Sequence, residues 1–173
     1  MVAFYKPLGI VSNCPQKGER SIVDLLPDSM VHLATIGRLD KDSEGLILLS
    51  DDGVLANQCL NSGLEFEKEY EITLDQPVDE DHLNAFESGL QLDDVMLKPV
   101  QTQQISSRKV RLILTEGKNR QIRRMFDYFN YRVHRLVRLR YHSLSLSNCR
   151  IVSGQWKLLD THDVYKMFQL DTK

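Results

Sequence analysis

Carboxylates gathered on a short polar segment between apolar runs are raw material for nucleophilic or acid–base chemistry. The run Gly37-Arg38-Leu39-Asp40-Lys41-Asp42-Ser43-Glu44-Gly45-Leu46 holds an arginine, four acidic or hydroxyl side chains and two glycines. A hydrolase acting on a glycosidic or nucleosidic bond would set Asp40 against a second carboxylate, for which Asp42 or Glu44 is at hand. The competing reading is a solvated connection between two strands. A second segment, Glu116-Gly117-Lys118-Asn119-Arg120-Gln121-Ile122-Arg123-Arg124-Met125, adds a dense set of cations downstream. Carboxylate chemistry and polyanion binding are thus both represented.

The charge distribution sharpens the second point. A net charge of −2 hides eleven acids between Glu65 and Asp94 against the single base Lys68, and twelve bases against two acids between Arg108 and Arg150. Ten of those twelve bases are arginines, the residue suited to bidentate phosphate contacts and to stacking on bases. The acidic stretch should repel RNA, whereas the basic stretch should attract a polyanion. Arg135, Arg138 and Arg140 would widen the basic track.

The elements that must position these groups can be read from periodicity and punctuation. Val2 to Tyr5 is a short strand ended by the Lys6-Pro7-Leu8-Gly9 turn, and Ser21 to Leu26 a short helix stopped before Pro27. Val31 to Ile36 climbs as a strand into the first segment and Leu46 to Leu49 leaves it as a buried strand, so Asp40 sits on a loop anchored at both sides. Val54 to Leu60 is a helix closed by Asn61-Ser62-Gly63. Strict alternation from Glu69 to Asp75 puts Tyr70, Ile72 and Leu74 on one inward strand face. A helix over Asp79 to Ser88, extended chain from Val95 to Gln104 and a strand over Val110 to Thr115 follow. Asn119 can cap the next helix, in which Ile122, Met125, Phe126 and Phe129 make one apolar face. Arg123 lies at the edge of that face, half-buried and in need of an anion, while Arg120 and Arg124 point away. Val133 to Leu139, Leu144 to Leu146 and Trp156 to Leu158 supply further strands, and Val164 to Phe168 a last helix. This order implies an α+β fold around a largely antiparallel or mixed sheet.

Both segments resemble the signatures of the pseudouridine synthases, in the RsuA, RluB, RluE and RluF branch that modifies ribosomal RNA. The resemblance runs from Lys6-Pro7-Leu8-Gly9-Ile10-Val11-Ser12 to Gly154-Gln155-Trp156, and the RluF pattern is nearest through Gly37 to Ser43 and Glu67-Lys68-Glu69-Tyr70. It implies a long bent sheet with flanking helices and a central cleft, in one catalytic domain of two lobes over residues 1–173, without the N-terminal S4 RNA-binding domain of those relatives. It implies Asp40 as nucleophile with Arg123 against it, and Tyr70 over the flipped uracil. Arg38 would fill the vacated stack, and Lys118, Asn119, Arg120, Gln121 and Arg124 would touch RNA. The alternatives are a non-catalytic RNA-binding or ribosome-assembly protein, and tRNA in place of ribosomal RNA.

With 173 residues, 42% hydrophobic and 27% charged, the chain suits a monomeric globular protein with a substantial core. No apolar run is long enough to span a membrane and no secretory signal is recognisable, which suggests a cytoplasmic protein. Cys14, Cys59 and Cys149 lack metal-ligand spacing and read as buried free thiols; neither metal nor cofactor is expected.

Overall fold

The computed structural model describes residues 1–61 and 65–170. Its elements follow in chain order as β1 (Val2–Lys6), β2 (Ala34–Ile36), β3 (Glu44–Ser50), α1 (Gly53–Asn61), β4 (Lys68–Leu74), α2 (Glu80–Ser88), β5 (Gln91–Leu92) and β6 (Val95–Met96). After them come β7 (Gln101–Ser106), β8 (Lys109–Leu114), α3 (Gln121–Tyr128), β9 (Val133–Tyr141), β10 (Leu144–Ser145), α4 (Leu146–Cys149), β11 (Trp156–Leu158) and α5 (Thr161–Met167). Two short 3-10 turns, Ile22–Leu25 and Asp28–Met30, precede β2. The chain forms two compact units, residues 1–64 with 138–173 and residues 65–137.

In the first unit β1 pairs antiparallel with β3 and, on its other side, with β11; β2 also pairs with β3. All seven residues of β3 are buried, which is why Leu46 to Leu49 carries no polar alternation. Val2, Ala3 and Phe4 of β1 are equally buried. The expected strand from Val31 shortens to Ala34–Ile36, because the preceding 3-10 turn after Pro27 consumes residues 28–30. The expected close of α1 at residues 62–63 lies outside the described residues.

The second unit is built on β4, β8 and β7, joined antiparallel in that order, with a bulge in β7 between Gln104 and Ser106. Alternation along β8 sends Val110, Leu112 and Leu114 inward beside Ile72 and Leu74 of β4. Those side chains meet Leu83 and Phe86 of α2 and Ile122, Met125 and Phe126 of α3. The rings of Phe86 and Phe126 cross edge to face at 5.2 Å. Asp79 caps α2 by accepting from the Asp81 amide.

Cross-strand register also revises the expected charge segregation. Glu71 stands opposite Arg111, so its carboxylate pairs with Lys109 at 3.2 Å and Arg111 at 3.5 Å. Lys98 pairs with Glu65 and Arg124 with Asp93. The acidic stretch therefore neutralises part of the basic stretch instead of standing apart from it.

Candidate active site

The loop that carries Asp40 leaves β2 through Gly37, whose φ of +75° suits glycine, and enters β3 at Glu44. Backbone bonds hold it from three directions. The buried Ser12 hydroxyl donates to the Leu39 carbonyl at 2.7 Å and accepts from the Leu39 amide at 2.9 Å. Gly9 N–H donates to the Lys41 carbonyl at 2.9 Å, and Ser43 N–H closes a turn on the Asp40 carbonyl at 3.0 Å. Leu39 is buried, Asp40 half-buried and Arg38 exposed. A carboxylate placed this way is fixed by backbone bonds on both neighbours, the condition for a positioned reactive group.

Lys6 was not foreseen as part of this site. It ends β1, is 0% exposed, and its ammonium donates to the Pro7 carbonyl at 3.1 Å and the Ile10 carbonyl at 2.5 Å. Burial pushes its pKa from 10.5 down to about 8; the Asp40, Asp42 and Glu44 carboxylates pull upward, and Arg138 adds a smaller downward push. One buried cation, held by two backbone carbonyls, thus feels the charge of three loop carboxylates. The available signal was a lysine continuing an apolar strand on the same face as Phe4.

This burial has a measurable consequence. Between about pH 8 and 10.5 the unfolded chain keeps the Lys6 proton that the folded chain has lost, so the contribution of Lys6 to stability rises with pH across that window. Lys6→Met should remove that rise, which amounts to roughly 3 kcal/mol at 1.36 kcal/mol per pKa unit. Urea unfolding of both proteins at several pH values measures it, and parallel pH dependences would refute the assignment.

Two further arginines of the first unit differ in placement. Arg138 is only 3% exposed, with its Nε donating to the Leu46 carbonyl at 2.6 Å. It therefore leaves the expected surface track: β9 turns it into the interior, where it braces β3. Arg140 is half-buried and donates to the His142 carbonyl at 2.6 Å.

In the second unit Tyr70 sits on β4 opposite Leu112, half-buried against the core of that unit. Arg123 is half-buried on α3, with Nη1 donating to the Val133 carbonyl at 3.0 Å, while Arg120, Arg124 and Arg135 are exposed. Ile122, Met125 and Phe126 are buried and Phe129 partly so, the apolar face expected from spacing. The helix start differs from expectation: Arg120, in the left-handed region at φ +47°, is the N-cap, with no side-chain cap from Asn119.

Lys118 and Asn119 are exposed, but Gln121 is 4% exposed. Its amide donates to Glu116 at 2.7 Å and accepts from the Lys118 backbone at 2.9 Å. This side chain shapes the loop that presents Lys118, so it is not the exposed RNA contact expected of it. Cys59 and Cys149 are buried free thiols, whereas Cys14 is exposed. Among the described residues no helix is long and apolar enough to cross a membrane.

Residues 1–128 match the family described as RNA pseudouridylate synthase. The chain is 39% identical over 171 residues to the dual-specificity RNA pseudouridine synthase RluF of Salmonella typhi, covering 98% of this chain and 58% of the relative. It is 31% identical over 170 residues to the ribosomal large subunit pseudouridine synthase B of Bacillus subtilis, covering 94% of this chain and 69% of that one. The crystal structure of a pseudouridylate synthase superposes with a TM-score of 0.87 at 28% identity, over 96% of this chain and 72% of the other. The chain thus spans about three-fifths of the RluF relative's length.

Proposed function

The chain belongs to the RNA pseudouridylate synthase family, and from that membership we propose that it isomerises a uridine of ribosomal RNA with Asp40 as the nucleophile. The observation that carries this reading is the backbone-clamped loop, which presents one half-buried carboxylate between Leu39 and Lys41. The chain is 32% identical to a ribosomal small subunit synthase and 31% identical to a large subunit one, so ribosomal RNA is the shared substrate class and large-subunit RNA the member of it that we propose.

The chemistry breaks the N1–C1′ bond, turns the uracil, joins C5 to C1′, and moves a proton from C5 to solvent while N1 gains one. Nothing is oxidised and no group is lost, so the reaction needs no cofactor. An ionised carboxylate serves the sugar side, either by attacking C1′ or by taking the C2′ proton. Arg123 supplies the counter-charge that the family pattern gives it, and Tyr70 the ring against the extruded base. Arg38, exposed at the entrance of the loop, fills the gap the base leaves. Lys118, Asn119, Arg120, Arg124 and Arg135 bind phosphate or neighbouring bases.

Incubation with ribosomal RNA tritiated at uridine C5 tests the proposal. Release of label to water, with the RNA mass unchanged, is the expected result. Free uracil in place of a mass-silent change would point instead to hydrolysis, and release only from tRNA would move the substrate.

A further inference from the structure

We propose that a cavity of about 470 Å³ in the first unit, lined by Cys149, Arg150, Ile151, Gln155, Trp156 and Lys157, binds one nucleotide of single-stranded RNA as an accessory subsite. The base stacks on Trp156, and Arg150 and Lys157 hold its phosphates. This deepens the reading above, because it rests on RNA being the partner.

Three features of the cavity point to that occupant. It is an open depression, shaped for a strand passing over it more than for an enclosed small ligand. Its two cations, Arg150 and Lys157, are exposed, and neither has a carboxylate within ion-pair distance among the described residues. This sets them apart from Lys41, Lys98, Lys109, Arg111, Lys118 and Arg124, each of which holds an acid. The single tryptophan of the chain, 36% exposed on β11, lines the same cavity. An aromatic residue and two unneutralised cations lining one cavity match a nucleotide better than they match a simple anion or an apolar ligand.

The walls of the cavity are preformed. Arg150 adopts the left-handed region at φ +56° as the C-cap of α4, its N–H donating to the Leu146 and Ser147 carbonyls. The Gln155 amide oxygen accepts from the Val152 backbone at 3.2 Å and fixes the turn before Trp156. Cys149 adds no negative charge at neutral pH, because burial raises its pKa. β1 then ties this wall to the Asp40 loop: Tyr5 exchanges bonds with Gln155 and Gly154, each at 2.9 Å, and three residues past β1 the Gly9 amide holds Lys41. A strand of RNA held at Trp156 would therefore rest on the same strand and turn that brace the loop.

The lone tryptophan makes the test direct. Titrating the full chain with a uridine hexanucleotide should quench the Trp156 fluorescence saturably, in step with the anisotropy of a labelled copy of the same hexamer. The double variant Arg150→Gln, Lys157→Gln should bind the hexamer about tenfold more weakly, with a salt slope shallower by about 1.4, two phosphate contacts at 0.7 each. Trp156→Leu should weaken binding by about fivefold or more. Hexamer binding without quenching, or an unchanged salt slope in the double variant, would overturn the subsite. Equal quenching by tripolyphosphate, with competition, would reduce it to an anion site and overturn the nucleotide assignment. Tritium release is measured alongside: a failed subsite leaves release intact, whereas loss of release from every RNA condemns the broader reading.

Discussion

Replacing Asp40 by Ala or Asn is expected to lower tritium release from C5-labelled uridine by a factor of about 10³ or more, the scale on which loss of a nucleophile acts. Ala removes the carboxylate, and Asn keeps its shape while removing its charge. Neither change removes the backbone bonds that hold the loop, because Ser12, Gly9 and Ser43 all grip backbone atoms of Leu39, Lys41 and Asp40. The variants should therefore fold, and their RNA affinity should stay within about threefold of the parent, since phosphate contacts dominate affinity and no phosphate-binding cation is altered. The pair of measurements separates the competing readings. A catalyst loses turnover and keeps binding, while a protein that only binds RNA loses neither. Retention of more than a tenth of the original rate by Asp40→Ala would remove Asp40 from the chemistry.

The loop that carries Asp40 was legible in the sequence, between a strand on each side, because its context is local. A carboxylate among glycines and polar residues, with apolar runs on both sides, can be recognised without knowing what lies across the sheet. The same holds for the α3 face, where Ile122, Met125 and Phe126 are buried as their spacing requires, and for Trp156–Leu158, which is a strand at the expected bounds. What the sequence withheld depends on partners distant along the chain. The burial of Lys6 follows from its pairing opposite Gly45, and that of Arg138 from the contact of its Nε with Leu46, 92 residues away. Gln121 reads as a polar residue in a basic run until Glu116 and the Lys118 backbone claim its amide. Glu71 reads as part of an acidic block until antiparallel register brings Arg111 beside it. A count of arginines therefore overstated the track available to RNA, since Arg138 is interior and Arg111 and Arg124 are paired with acids.

Gly45 carries the second large prediction, on the stability of the platform that holds the site. It is at φ +117°, a conformation that side-chain-bearing residues rarely adopt, at the point where the Asp40 loop becomes β3. A Cβ added there would overlap the Arg138 carbonyl oxygen and stand 2.5 Å from the Arg138 nitrogen and 2.9 Å from its carbonyl carbon. These are backbone atoms of a strand, so no rotamer change relieves the clash. Either β3 shifts, breaking the Lys6 register and the Arg138–Leu46 bond, or the chain fails to pack. Conformational strain of about 1–3 kcal/mol combines with steric overlap in a tightly packed interior, so Gly45→Ala should destabilise the fold by about 4 kcal/mol or more. Gly9→Ala is the fitting control: Gly9 also has a positive φ, +81°, but a Cβ there meets nothing within 4 Å, leaving only the conformational part. Urea unfolding should show a large fall in midpoint for Gly45→Ala and a small one for Gly9→Ala. Equal losses would mean that backbone conformation alone sets the requirement for glycine, and that the close approach of β9 to β3 does not constrain the loop.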